Sequence, residues 1–160
     1  MIRFASVLLA VLVIALSVSR AADNPQPAPG FSLKTADGKG IELSKLKGKV
    51  VVVNFWATWC GPCRAEIPGM LEVYEKYKSK GLEIVGISLD RNGWQAVTPY
   101  VQKSKITYPI VLGDESVVES YGGIEAIPTT FIVDRKGNIV DRHVGMVSKE
   151  AFEAMVKEVL

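Results

Sequence analysis

The sequence predicts an α/β domain in which helices flank a central β-sheet. Two runs of β-branched and other apolar residues, Val50–Trp56 and residues 82–90, have the near-continuous hydrophobicity of strands that are covered on both faces. Between them, residues 64–80 repeat apolar side chains at helical spacing and end at Gly81. A strand, a helix and a strand in this order are typical of α/β folds.

The first 21 residues have the features of a targeting segment. Arg3 precedes an uncharged run over residues 4–18, and small side chains, Ser19 and Ala21, occupy the two positions that a signal peptidase reads. The run is shorter than the roughly 20 residues of a membrane span. We therefore predict a signal peptide over residues 1–21 and an exported protein, in the periplasm or on the extracytoplasmic face of the membrane; a retained membrane anchor is the alternative.

The rest of the chain is predicted to be one neutral domain. Without residues 1–21 it has equal numbers of basic and acidic residues, and no basic stripe indicates a nucleic-acid partner. Its length suits a single hydrophobic core. Residues 22–30 contain three prolines and are predicted to be a stiff extended linker, so the folded domain is expected to span residues 31–160.

A β-hairpin is predicted at the start of the domain. Residues 31–34 and 41–43 are strand-like and flank Asp37-Gly38, a common hairpin turn. We expect this hairpin to be an N-terminal addition to the central sheet.

An insertion is predicted after the second core strand. Residues 95–105 have helical periodicity, and residues 106–112 have strand character interrupted by Pro109. Residues 116–121 then form a short helix. Trp94, at the start of the insertion, is expected to pack at the rim of the core, with a partner groove as the alternative.

The C-terminal part is predicted to contain a hairpin and a helix. A strand over Thr129–Val133 turns into a strand over residues 139–144, and Ser148 is the expected N-cap of a last amphipathic helix. Strand alternation predicts that Val144 points inward and His143 outward.

Both cysteines of the chain lie in the stretch Trp59-Cys60-Gly61-Pro62-Cys63, at the predicted junction of a strand and a helix. Free N–H groups and the helix dipole stabilise a thiolate at such a position. A structural disulfide across two residues would close almost no loop. We therefore predict that Cys60 is a redox nucleophile and Cys63 its resolving partner, with Pro62 well suited to the first helical turn.

Glu66 is a candidate for moving the proton of Cys63. It follows Cys63 by three residues and so lies on the same helix face. Asn54, in the preceding strand, cannot ionise, which leaves Glu66 as the better candidate. The alternative is that Glu66 only interacts with the helix dipole.

The CxxC stretch and the distant Ile127-Pro128-Thr129 together resemble the TlpA/ResA group of exported thiol-disulfide oxidoreductases in the thioredoxin superfamily. The resemblance implies a thioredoxin-like fold, with a central mixed β-sheet flanked by helices, an N-terminal β-hairpin and a central helix-strand insertion. It also implies that Pro128 follows a cis peptide bond and faces the cysteines. The backbone of Ile127 would then be free to pair with an extended substrate segment.

The implied activity is thiol-disulfide exchange on client proteins. Cys60, Cys63 and Glu66 would be catalytic, and the remaining site residues would support the reaction or bind substrate: Trp59, Gly61, Pro62, Ile127 and Pro128. The redox-active disulfide needs no cofactor or metal. The resemblance implies a monomer that reduces apocytochrome c or copper-site cysteines and is recharged by a membrane thiol electron donor.

Two other functions are compatible with the cysteine pair. Cys60 and Cys63, with His143, could carry Cu(I) as a metallochaperone. A thiol peroxidase is the third possibility, because the insertion is also found in peroxiredoxins. Val53 and Ala57, however, occupy the positions at which those enzymes have proline and threonine, respectively.

Overall fold

The computed structural model describes residues 26–160. The predicted signal peptide and residues 22–25 of the predicted linker lie outside the described residues. The strands are β1 (Gln26–Pro27), β2 (Ser32–Lys34), β3 (Gly40–Glu42), β4 (Val50–Trp56), β5 (Leu82–Ser88), β6 (Ile110–Leu112), β7 (Thr129–Val133) and β8 (Asn138–Val144). The helices are α1 (Gly61–Tyr77), α2 (Trp94–Ser104), α3 (Glu115–Ser120) and α4 (Lys149–Lys157). No helix in this range has the length and hydrophobicity needed to cross a bilayer.

The central sheet is mixed, as predicted. Its strand order is β1-β8-β7-β4-β5-β6, with β4, β5 and β6 parallel and β7 antiparallel to both β4 and β8. All seven residues of β4 are buried, in keeping with a strand covered on both faces. The end of the sheet at which β4 runs into Cys60 is called the redox end, and the end at which β4 begins is called the far end.

Two hydrophobic cores lie on opposite faces of the sheet. On the first face, α1, α2 and α4 cover alternate residues of β4, including Val52 and Trp56. On the second face, the β2–β3 hairpin and α3 cover the other residues, including Val53 and Phe55. Because side chains alternate between the two faces along β4, this one strand contributes residues to both cores.

The N-terminal hairpin differs from its prediction. The strands β2 and β3 form a separate two-stranded sheet and do not add to the central one. Ile41 is buried in the second core and its partner Leu33 packs against the same core, so the hairpin packs by its face and not by its edge. Gln26 and Pro27, placed by the sequence in a linker, instead pair with β8 as its outer neighbour.

The orientation predicted for the end of β8 was wrong. Val144 is 51% exposed, whereas His143 is partly buried opposite Thr130. Arg142, on the same side as Val144, lies 5.5 Å from the centre of the Phe131 ring. The hairpin and α3, which cover the second face, do not extend over this end of β8. The apolar side chain of Val144 is therefore left in solvent.

The remaining elements differ from the predictions mainly at their ends. Helix α1 begins at Gly61, directly after the first cysteine, so Pro62 lies in its first turn as predicted; it ends at Tyr77, before the predicted end at residue 80. The strand predicted over residues 106–112 is limited to Ile110–Leu112. Just before this strand, the Pro109 carbonyl accepts the Gly86 N–H at 2.9 Å, but proline has no N–H to donate in return.

Candidate active site

The two cysteines lie where α1 begins, at the redox end. Cys60 is the N-cap of α1, and its sulfur accepts the backbone N–H of Cys63 at 3.2 Å. The two residues are joined by a disulfide. Cys60 is 5% exposed and Cys63 is fully buried, while the neighbouring Trp59 is 67% exposed. An approaching molecule therefore meets Trp59 and Cys60 before Cys63.

The Ile127–Pro128 segment lies beside Cys60, although 67 residues separate Ile127 from Cys60. The peptide bond between Ile127 and Pro128 is cis. The Ile127 carbonyl oxygen is 3.6 Å from the Cys60 sulfur, and the Pro128 carbonyl accepts the Gly145 N–H at 2.8 Å. The start of α1 and the cis-proline segment thus meet at the disulfide, and Gly145 holds the cis-proline segment from the side of β8.

Glu66 is buried on the α1 face that also carries Cys63. One carboxylate oxygen accepts the Asn54 side-chain N–H at 3.1 Å, and the other accepts the Val147 backbone N–H at 3.3 Å. Asn54 also donates to the Thr130 hydroxyl at 3.0 Å. Burial raises the pKa of Glu66 from 4.5 to about 7, and these hydrogen bonds only partly oppose the effect of burial. The carboxyl group can therefore gain or lose a proton near neutral pH.

Asp90 is a further polar residue of the redox end that the sequence interpretation missed. Its carboxylate accepts the Thr58 N–H at 2.9 Å, the Thr58 hydroxyl at 2.5 Å and the Ser88 hydroxyl at 2.8 Å. Asp90 thereby fixes the loop that leads into Cys60. The sequence did carry a signal for this contact. Asp90 closely follows β5 and Thr58 closely follows β4, and the carboxyl ends of neighbouring parallel strands lie side by side.

Trp94 packs partly buried against the first core, as expected for a rim aromatic. It also lines a cavity of about 380 Å³ between α2 and the N-terminal hairpin, with Tyr108 and Ile41 among the other lining residues. His143 lies on β8 and is not grouped with the cysteines. Within residues 26–160, no three His, Cys, Asp or Glu side chains are placed to hold a metal ion.

Comparisons with known proteins bear on this arrangement. The AhpC/TSA family model matches residues 25–142. Thiol-disulfide oxidoreductase ResA of Bacillus thuringiensis (strain Al Hakam) is 38% identical over 132 residues, which cover 82% of this chain and 76% of the relative. This chain belongs to the AhpC/TSA family, among the ResA-like oxidoreductases. ResA of Bacillus subtilis (strain 168) is 40% identical over 125 residues, 78% of this chain and 66% of that protein.

Solved structures agree with the fold of this ResA-like chain. A thiol:disulfide interchange protein of Chlorobium tepidum TLS, a thioredoxin family protein, superposes with a TM-score of 0.80 at 39% identity, covering 87% of this chain and 99% of that one. A putative thiol:disulfide interchange protein DsbE from Chlorobium tepidum gives 0.79 at 32% identity, covering 86% and 97%. The predicted thioredoxin-like fold and family are confirmed. The chain is a thiol-disulfide oxidoreductase, a class that works through a redox-active cysteine pair.

Proposed function

We propose that this ResA-like protein reduces disulfides in exported client proteins, with Cys60 as the nucleophile. The observation that carries the proposal is the position of the Cys60–Cys63 disulfide, at the N-terminus of α1 and against the Ile127 carbonyl.

The first step is attack by reduced Cys60 on the client disulfide. Its thiolate is stabilised by the N–H groups and the dipole of α1. A bond forms between the Cys60 sulfur and one client sulfur, and the other client sulfur leaves as a thiolate. Cys63 is fully buried, so it cannot reach the client disulfide, and the attack falls to Cys60.

In the second step Cys63 resolves the mixed disulfide. Its thiol loses a proton, its sulfur attacks the Cys60 sulfur, and the second client sulfur leaves as a thiolate. Two electrons pass to the client, and the protein becomes oxidised. Glu66, whose pKa is near neutral and which lies one helical turn further along the same buried face, is the proposed proton acceptor.

The client is proposed to bind in an extended conformation along the cis-proline segment. Ile127 and Pro128 offer backbone groups next to the reacting sulfur, and exposed Trp59, the residue before Cys60, offers an aromatic surface. Gly61 and Pro62 complete the first turn of α1 and contribute no bulky side chain between the cysteines.

The proposal includes export through residues 1–21 and action in the periplasm as a monomer. There the protein needs a membrane thiol donor for recharging, and its clients would be apocytochrome c or copper-site proteins. The support is the charge pattern of residues 1–21 and the similarity to ResA-type proteins.

Trapping experiments test the assigned roles. Cys63→Ser should accumulate a mixed disulfide between Cys60 and a model client, because the first step remains and the second is lost. Cys60→Ser should form no such adduct. Equal adduct formation by both variants would contradict the roles.

The reduction potential, measured by equilibration in thiol buffers and counting of alkylated cysteines, tests the direction. A value around −270 mV, as in thioredoxin, is expected for a reductant. A value near −120 mV would indicate a disulfide donor.

A further inference from the structure

We propose that the far end of the sheet carries a surface that binds anionic phospholipid bilayers. This surface, called the basic face, consists of the exposed cationic residues at that end: Lys47, Lys49, Lys78, Lys80, Arg135 and Lys136. They come from three separate parts of the chain.

Arg135 joins these parts into one surface. Its guanidinium donates to the Gly48 carbonyl at 2.7 Å, to the Lys80 carbonyl at 3.0 Å and to the Leu160 carbonyl at 3.0 Å. In return, the Gly48 N–H donates to the Arg135 carbonyl at 2.9 Å. The segments that carry the lysines are therefore held against the turn that follows β7.

The acidic groups near this surface leave a positive excess. Glu83 pairs with Lys49 at 2.9 Å, and Glu75 pairs with Lys78 at 2.5 Å. Asp134 is occupied within its own turn, where it accepts the backbone N–H groups of Lys136 and Asn138. Three lysines of the basic face form no ion pair with any described residue: Lys47, Lys80 and Lys136.

The partner of the basic face is not a client whose disulfide reacts at Cys60. β4 runs from the far end to the redox end over seven residues. At about 3.3 Å per residue, this separates the two ends by roughly 20 Å. A partner at the basic face leaves the disulfide open to clients.

A bilayer fits the place at which the chain enters the domain. The described part of the chain begins close to the basic face, because Gln26 lies opposite Ile139 and the Ala28 N–H donates to the Gly137 carbonyl at 2.9 Å, next to Lys136. A retained anchor over residues 4–18, the alternative to a cleaved signal peptide, would join the domain at this point. Clusters of about four to eight lysine and arginine residues are attracted to anionic membrane surfaces, so a group of this size gives measurable binding. The redox end then faces away from the membrane.

Vesicle co-sedimentation of residues 22–160 tests the proposal. The described fold is complete within residues 26–160, and the Chlorobium tepidum structure, 99% of which this chain covers, is a domain of similar extent that crystallised. The probes are phosphatidylcholine vesicles with and without about 30 mol% phosphatidylglycerol. We expect binding to the anionic vesicles alone at ~50 mM salt, and its loss at ~500 mM salt.

A matched pair of variants locates the surface. Lys47→Glu/Lys80→Glu/Lys136→Glu should weaken binding by about tenfold or more. Lys34→Glu/Lys39→Glu/Arg91→Glu changes the net charge equally at exposed positions away from the basic face and should retain binding.

Absence of binding by the unaltered domain at low salt would overturn the proposal. So would equal weakening by the two variants, since net charge alone would then explain it. Circular dichroism of each variant checks that it is folded. If the triple variant of the basic face is unfolded, the single changes Lys47→Glu and Lys136→Glu are used in its place. Each single change should weaken binding severalfold, and unchanged binding by both would also overturn the proposal.

Discussion

At the residue scale, Glu66 links the stability of the protein to pH. Its pKa is raised to about 7 in the folded state, chiefly by burial, so the folded state holds a proton that the unfolded state has already lost between pH 4.5 and 7. The free energy of unfolding should therefore fall as pH rises through this window and level off above it. The shift corresponds to a change on the order of 3 kcal/mol.

The Glu66→Gln variant should remove this dependence. Urea unfolding at several pH values between 4.5 and 8 would show a flatter profile than the unaltered protein. An overall loss of about 1–2 kcal/mol is expected as well, because an amide nitrogen would face one of the N–H donors, Asn54 or Val147. The same slope in both proteins would mean that another group carries the linkage.

Replacement of Asp90 tests its role in holding the loop before Cys60. Asp90→Asn keeps the shape but turns an N–H toward the Thr58 or Ser88 donors, so the loop before Cys60 should loosen. We expect a loss of about 1–3 kcal/mol in unfolding free energy and a changed rate of disulfide reduction by dithiothreitol. Asp141→Asn, an exposed change on β8, is the control and should alter neither quantity.

At the scale of elements, the close approach of α1 and α4 is set by Gly69. A Cβ atom at this position would lie 2.9 Å from the Lys149 Cβ and 3.3 Å from the Lys149 Cα. The gain in helix propensity from alanine is at most about 1 kcal/mol. Overpacking against a backbone costs about 1–3 kcal/mol, so Gly69→Ala should destabilise the protein.

Gly61 provides the matched control for this change. It is also in α1, but a Cβ atom there would have no neighbour within 4 Å. Gly61→Ala should therefore leave thermal stability unchanged or slightly raised. A melting temperature that falls equally in both variants would show that contact with α4 is not the cause.

The elements also show what the sequence could and could not predict. The bounds of β4 and β7 were correct because both runs are short and rich in β-branched and aromatic residues, a composition that favours strands over helices. The packing of the hairpin was not predictable, because its alternation suits both edge pairing and face packing. The pairing of β1 with β8 was also missed, since a two-residue strand has no periodicity.

At the scale of the whole molecule, the site depends on contacts between distant segments. The CxxC pair was evident because both residue types and their spacing are local. The bond between Glu66 and Val147 spans 81 residues, and the Asn54–Thr130 bond spans 76. Neither hydrogen bond can be predicted from a single sequence, because each depends on the register between strands or on the packing of helices.

The boundary of the folded unit can be tested on the whole molecule. A chain beginning at residue 31 loses the pairing of β1 with β8, the bond from Ala28 to Gly137 and the bond from the Tyr121 hydroxyl to the Pro29 carbonyl. At about 1 kcal/mol for each hydrogen bond, it should be less stable than residues 22–160 by roughly 2–4 kcal/mol in urea unfolding.

A chain that begins at residue 26 keeps these contacts and serves as the control. It should match residues 22–160 in the same urea titration. If the chain that begins at residue 31 is as stable as residues 22–160, the domain boundary predicted from the sequence is correct.

The hydrogen bond from the Val147 amide to Glu66 has a practical consequence for spectroscopy. An amide hydrogen that points at a titrating carboxylate changes its chemical shift when that group gains a proton. Val147 is buried and precedes α4, so its resonance should be well resolved from those of solvent-exposed loops. A nitrogen-15 titration of this one signal would therefore follow the proton on Glu66 in both redox forms, without altering any residue of the site.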